Sequence, residues 1–231
     1  MRLAFPCALL LGWLAPVLLP LPAAAAPPLR SPQVTFCSDR LNDLFQSYGL
    51  GIDPISDQVD AQARDLGPAP TAWLIILEHG GDHGIGLYDA DAVGTPALFE
   101  ALHAGALVGS YSIVHLLPDG RIAVARFDEN GVFVDTELFT STPGTFHHFG
   151  LYVSDGQGQI VCSQDARNDG HPGVLTYLGT GQFYGDWFDC FETHPAGPAC
   201  PQFVDVVVQM EPVEVNPTRQ ETWGGVKTRF H

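Results

Sequence analysis

The sequence predicts an all-β fold, an antiparallel β-sandwich with one short N-terminal helix. Three observations carry that reading. From Thr71 onward the chain falls into short runs rich in β-branched and aromatic residues: "TAWLIILE", "GIGLYD", "GSYSIVHLL", "RIAVARFD", "VFVDTELF", "TFHHFGLYVS", "QIVCSQ", "GVLTYL" and "FVDVVVQM". Between them stand Pro118-Asp119-Gly120, Glu129-Asn130-Gly131 and Asp155-Gly156, residue types that tolerate the left-handed backbone of tight hairpins. Within Arg121 to Phe127, Ile122 and Val124 alternate with Ala123 and Ala125, the period of a strand with one buried face. Runs at this spacing suit about eight to ten strands in two packed sheets.

The elements follow in chain order. Met1-Arg2, an apolar stretch from Leu3 to Leu21 and small residues at Ala23 to Ala26 read as a secretory signal peptide over residues 1–26. Four prolines and the shortness of the run argue against a transmembrane anchor. Residues 27–37 open with a proline-rich stretch and are expected to form a flexible leader. "DRLNDLFQSY" places Leu41, Leu44, Phe45 and Tyr48 at helical spacing, and Gly49 ends the pattern. Residues 50–70 carry many Asp, Pro and Gly and read as an ordered loop. "PALFEALH" (96–103) is the second helix candidate, with proline at a first-turn position. The β-sandwich domain is expected over 38–212, and 213–231 form a tail.

Charge narrows the partners. The chain has 231 residues, 10 basic and 26 acidic. Loss of residues 1–26 removes only Arg2 among charged groups, leaving 205 residues, nine basic groups against 26 acidic ones and a net charge of −17. That balance opposes nucleic acid and anionic lipid and favours solubility or cation binding.

Cys7 belongs to the leading apolar segment, so Cys37, Cys162, Cys190 and Cys200 remain. An even set in an exported chain predicts disulfides, with three connectivities open. Cys190 and Cys200 flank a Pro/Gly-rich loop and are expected to pair with each other, leaving Cys37 with Cys162. A zinc site would need paired thiolates, and the chain has no C-x-x-C.

Several segments occur in a distinctive order: "RLNDLFQSYGLGIDPISDQVDAQ", "GLYDADAVGTPALFEAL", "GTFHHFGLYVSDGQGQIVCSQDARNDGHPGVLTY" and "FVDVVVQMEPVEV". Over about residues 40 to 212 the chain resembles the domain-of-unknown-function 4114 family. That family occurs in exported bacterial proteins, often with a PEP-CTERM-type sorting signal, and in calcium-rich adhesins. The resemblance implies a jelly-roll-like β-sandwich and an extracellular role. It also implies calcium as the candidate cofactor, with Asp169, Asp186, Asp189 and Asp205 as the candidate ligands. The family's closing acidic motif is only partly kept: Phe188 stands where a glutamate is expected, Gln202 where an aspartate is and Val204 where an asparagine is. Calcium takes 6–8 oxygen ligands, so each loss weakens such a site.

Other constellations are less specific. Glu78-His79 and Asp82-His83 flank Gly80-Gly81, which reads as a polar turn rather than a metal-binding helix. His147 and His148 would alternate across a strand. No G-x-S-x-G or H-E-x-x-H occurs, and acidic pairs such as Asp128/Glu129 and Asp135/Glu137 are unavoidable at this composition. "TWGGVKTRF" resembles a short tail of some exported bacterial proteins, with a sorting tag and a simple packing segment as the competing readings.

The expected protein is therefore a non-catalytic exported surface or matrix module acting in adhesion or carbohydrate recognition. It would reside outside the cell, on its surface or in the periplasm, with extracellular polysaccharide or a surface protein as partner. No nucleic acid and no transmembrane anchor in the mature chain are expected. A secreted hydrolase with a glycosidase-like carboxylate pair and a purely structural extracellular domain are the alternatives.

Overall fold

The computed structural model describes residues 27–37, 39–65, 69–117, 119–140, 148–194 and 200–213. The expected signal peptide, Pro118, His147, the centre of the Cys190–Cys200 loop and the tail from residue 214 lie outside the described residues.

Among them the chain forms α1 (Asp39–Ser47) and twelve strands: β1 (Arg64–Asp65), β2 (Thr71–Glu78), β3 (Gly84–Asp89), β4 (Leu98–Leu102), β5 (Tyr111–Leu116), β6 (Arg121–Phe127), β7 (Phe133–Thr140), β8 (His148–Ser154), β9 (Ile160–Cys162), β10 (Val174–Leu178), β11 (Trp187–Phe191) and β12 (Val206–Pro212). Two single-turn 3-10 helices cover Asp165–Asn168 and Gly181–Phe183. Every strand pairing is antiparallel. One sheet runs β10-β11-β12-β2-β5-β6-β7; the other runs β1-β8-β3-β4, with β9 also on β8. The all-β sandwich expected from the sequence is present.

Two layers of apolar residues explain why it closes. Between the sheets lie Trp73, Ile75, Leu87, Phe99, Val124, Leu151, Phe191 and Val208, the inward positions of alternating strands. On the outer face of β10, β11, β12 and β2, Leu175, Tyr177, Phe188, Cys190 and Val207 face Leu41 and Phe45 of α1, together with Phe36 from the leader. That half of the sheet is buried on both faces. Its strands therefore lose the polar alternation of a one-sided strand.

This double burial explains one departure from the sequence reading, and strand pairing explains another. β11 is not among the β-prone runs read from the sequence, because "WFDCF" lacks a polar face. The segment 96–103 was expected as a helix and is instead β4, paired with β3. In extended form it buries Phe99 between the sheets, edge-on to Phe139 at 5.6 Å. Tertiary pairing outweighs a helical spacing this short.

The leader is docked, contrary to the flexible segment expected. Leu29 bridges to Val59, Arg30 pairs with Asp165, and Gln58 exchanges hydrogen bonds with the backbone of Val34. The disulfide pairing also needs correction. Cys37 is bonded to Cys200, while Cys162 and Cys190 are free and buried. Cys190 projects from β11 into the layer beneath α1, so its thiol points away from the loop that ends at Cys200. Sequence proximity misled because strand alternation, not loop length, sets the direction of that side chain.

Two glycines are required by packing. Across β3 and β8, Gly86 stands opposite Tyr152 and Gly150 opposite Tyr88. A Cβ on Gly150 would sit 2.2 Å from the Tyr88 ring, and one on Gly86 2.6 Å from the Tyr152 ring. Each ring lies over its partner glycine, an arrangement that pins register.

Candidate functional site

Alternation on β11 aims Trp187, Asp189 and Phe191 between the sheets. The register places Thr176 beside Asp189, and Trp187 beside Met210, which in turn stands beside Trp73. A carboxylate thus enters an apolar layer with no solvent exposure. Its counter-ion comes from the opposite sheet. Arg64 of β1 grips both oxygens: Nη1 donates to Oδ2 at 2.9 Å, and Nη2 donates to Oδ1. Nη2 also donates to Thr176 Oγ1 at 2.9 Å, whose hydroxyl donates to Asp189 Oδ1 at 2.7 Å. The guanidinium lies 4.4 Å from the centre of the Trp187 ring. Such a bidentate, desolvated pair fixes the two sheets relative to each other.

Beside this pair opens a cleft of about 380 Å³. Arg64, Trp73, Phe149, Trp187 and Met210 form its walls; Asp60, Asp65, Thr71 and Glu211 carry polar groups around it. Asp65 follows Arg64 on the same two-residue strand and so points outward, where it meets His148 Nε2 at 3.3 Å. The His148 imidazole is held above its ordinary pKa, chiefly by its hydrogen bond to Asp91. The chemistry available is aromatic contact, hydrogen-bond acceptance and negative charge.

A second buried arginine closes the opposite side of the sandwich. Arg126 of β6 donates to the carbonyls of Glu100 and Ala101 on β4 and to Asp135 and Glu137 on β7. His103 joins the network, with Nδ1 at 2.6 Å from Glu100 and Nε2 at 2.9 Å from Asp135. The acidic pair Asp135/Glu137 is therefore engaged by one arginine.

The four aspartates expected as calcium ligands are not gathered. Asp189 is committed to Arg64 and Thr176. Asp186 accepts from Gln209 Nε2 at 2.7 Å. Asp169 is exposed, in the turn after the first 3-10 helix, with the left-handed backbone of φ 56°. Asp205 accepts from the backbone and hydroxyl of Thr193 at 2.8 and 2.7 Å. Asp186 and Asp205 lie beyond opposite ends of the β11–β12 pair, which is five residues long and so about 16 Å. Among the described residues, Asp205 instead meets Glu192 and His194, with one ligand atom of each within 4.8 Å of the others. Those carboxylates already accept hydrogen bonds from Thr193, Gln202 and Phe203, and three donors that include an imidazole do not make a calcium shell.

Glu78 and the turn after it behave as the sequence suggests: Glu78 accepts from Gly81 N and meets His83 Nδ1 at 3.0 Å. Sequence reasoning missed Arg64, Trp73, Thr176 and Trp187. Asp189 was singled out for the wrong partner. The only sequence signal at Arg64 was a basic residue within an acidic loop, and nothing local connects it to a position 125 residues away. Among the described residues no helix is long and apolar enough to cross a membrane. No protein-family model and no curated protein matches the chain.

Proposed function

We propose that the chain is a non-catalytic exported surface or matrix module that recognises carbohydrate through the cleft beside Arg64 and Asp189. The observation that carries this reading is the half-buried Trp187, at a cleft rimmed by carboxylates and Thr71. Aromatic faces stack on the apolar face of a sugar ring, while carboxylates and hydroxyls accept from its hydroxyl groups. Arg64 supports the wall instead of serving the ligand, since its donors are spent on Asp189, Thr176 and Ala61. The docked leader and a disulfide suit life outside the cytoplasm, and the resemblance to the domain-of-unknown-function 4114 family agrees with an exported module. Calcium at the four aspartates is not part of this proposal.

Titration calorimetry of the chain from Pro27 against soluble oligosaccharides tests it. Saccharide binding that Trp187→Ala abolishes, with a cooperative melt retained, is expected. Asp65→Asn provides a second variant outside the packed wall. Failure to bind any saccharide would sink the proposal. Release of reducing sugar during the incubation would overturn its non-catalytic part and favour a hydrolase using the rim carboxylates.

A further inference from the structure

We infer that β7 is a pairing edge whose occupant is β7 of a second copy of this chain, joined antiparallel about a two-fold axis through Thr136. The contact lies away from the cleft and does not depend on the saccharide reading.

Among the described residues five strands stand at sheet edges, and four of them are short or capped. β1 and β9 are two and three residues long. The edge of β10 is covered by Val59, whose N–H donates to the Thr176 carbonyl at 2.9 Å. On β4 the Glu100 and Ala101 carbonyls accept from Arg126. β7 is the exception. It runs for eight residues, pairs with β6 alone among the described residues, and holds no lysine or proline. Alternate residues of such a strand turn their backbone N–H and C=O groups outward, where another strand can meet them. Phe133, Val134 and Leu138 on β7, with Val132 just before it, are 49–60% exposed, an apolar edge that water leaves unsatisfied.

The residue order of β7 selects its partner. Phe133-Val134-Asp135-Thr136-Glu137-Leu138-Phe139 reads alike in both directions by chemical kind. In a two-fold contact residue i meets j and j meets i. With Thr136 on the axis, Phe133 stands opposite the second copy's Phe139, Val134 opposite its Leu138, and the two Thr136 residues face each other. Aromatic and branched residues opposed in this way are favourable cross-strand pairs. Asp135 opposite Glu137 is unfavourable, as like charges face each other. Within each copy Arg126 lies 3.0 Å from both carboxylates and His103 Nε2 lies 2.9 Å from Asp135, which offsets that repulsion. Moving the axis to Asp135 would set that carboxylate against itself and Phe133 against Glu137, so the order fixes the register.

Sedimentation equilibrium of the chain from Pro27 tests the pairing. One pair of strands is smaller than a standard interface, so a dissociation constant on the order of 10 µM is expected. The excess of acidic over basic residues opposes the approach of two copies, and the dimer should tighten as salt rises. Thr136→Lys, at an exposed position on the axis, should weaken it about tenfold or more with the circular dichroism spectrum unchanged. A short bis-maleimide should join two copies of Thr136→Cys, whose thiols would be cross-strand neighbours. Thr140→Cys should stay unlinked, its two thiols being about 27 Å apart. A chain that stays monomeric well above the expected constant would overturn the inference and leave the edge to a strand of another protein. A dimer indifferent to Thr136→Lys, or linkage at Thr140 as efficient as at Thr136, would place the contact elsewhere and overturn it as well.

Discussion

Removing either partner of the Arg64–Asp189 pair should be costly, and the two removals should differ. Breaking a buried ion pair by truncating one partner typically costs about 3–5 kcal/mol, because the other charge is left without compensation. Here the environments are unequal. Asp189 has no exposure, and among the described residues its side chain has only Arg64 and Thr176 as polar partners. Arg64 keeps 8% side-chain exposure and borders the cleft, so it can regain water when its carboxylate is lost. Asp189→Asn is therefore placed near the lower end, about 3 kcal/mol, and Arg64→Met near the upper end, about 5 kcal/mol. For a domain of this size the melting temperature would fall by about 6–20 °C across the two variants. Urea denaturation followed by tryptophan fluorescence measures both, since Trp187 stacks on Arg64. The double variant Arg64→Met/Asp189→Leu removes both charges and should recover most of the loss. Three results would refute the reasoning. One is a cost below about 1 kcal/mol for either single change, as for a surface pair. Another is Asp189→Asn costing more than Arg64→Met, and the third is a double variant no better than the worse single.

Four further outcomes are expected. Thiol labelling of the chain from Pro27 should find no reactive thiol in the native state and two after denaturation, Cys162 and Cys190, both of whose thiols burial pushes up; a Cys190–Cys200 bond with Cys37–Cys162 would give none in either state. Gly150→Ala should cost about 1–3 kcal/mol by driving a methyl into the Tyr88 ring, and Tyr88→Ala in the same chain should relieve part of it, so additive losses in urea melts would count against the paired-ring account. Burial pulls the His103 pKa down, but hydrogen bonds to Asp135 and Glu100 outweigh this and leave it raised. A raised folded-state value stabilises most below about pH 6.5 and is lost as pH rises through the folded value. His103→Gln should therefore destabilise at about pH 5.5 and lose its effect by about pH 9, and a cost independent of pH would contradict the assignment. Saturating calcium should leave the melt unchanged; a site filled at a hundred times its Kd would add about 2.7 kcal/mol, a shift of several degrees that a melting curve with and without chelator would reveal.

Several of these features were legible in the sequence, and the reason is local. β2, β5, β6 and β7 announce themselves through β-branched runs, and their turns through Asp, Asn and Gly at the points of left-handed backbone. Gly120 and Gly131 adopt φ 82° and 77°, as tight turns need. α1 shows its stripe because only one of its faces is buried, with Leu41 and Phe45 inward. Where both faces are covered the pattern vanishes, which is why β11 gave no strand signal; β4, whose Leu98 and Glu100 are only partly buried, was hidden instead by a short helical spacing that pairing with β3 overrides.

By itself the sequence determined the class of fold, the order of most strands, the acidic balance and a set of cysteines and aspartates that deserved partners. Tertiary structure alone chose those partners. Asp189 was visible as a carboxylate in an apolar run, a group that cannot be buried without compensation. Its compensation lies on the other sheet, and only the stacking of the two layers brings Arg64 to it. Strand alternation sends Cys190 beneath α1, the docked leader brings Cys37 to Cys200, and the length of the β11–β12 pair separates Asp186 from Asp205. Local patterning encodes which face a residue takes, whereas ion pairs, disulfides and clefts depend on which faces meet.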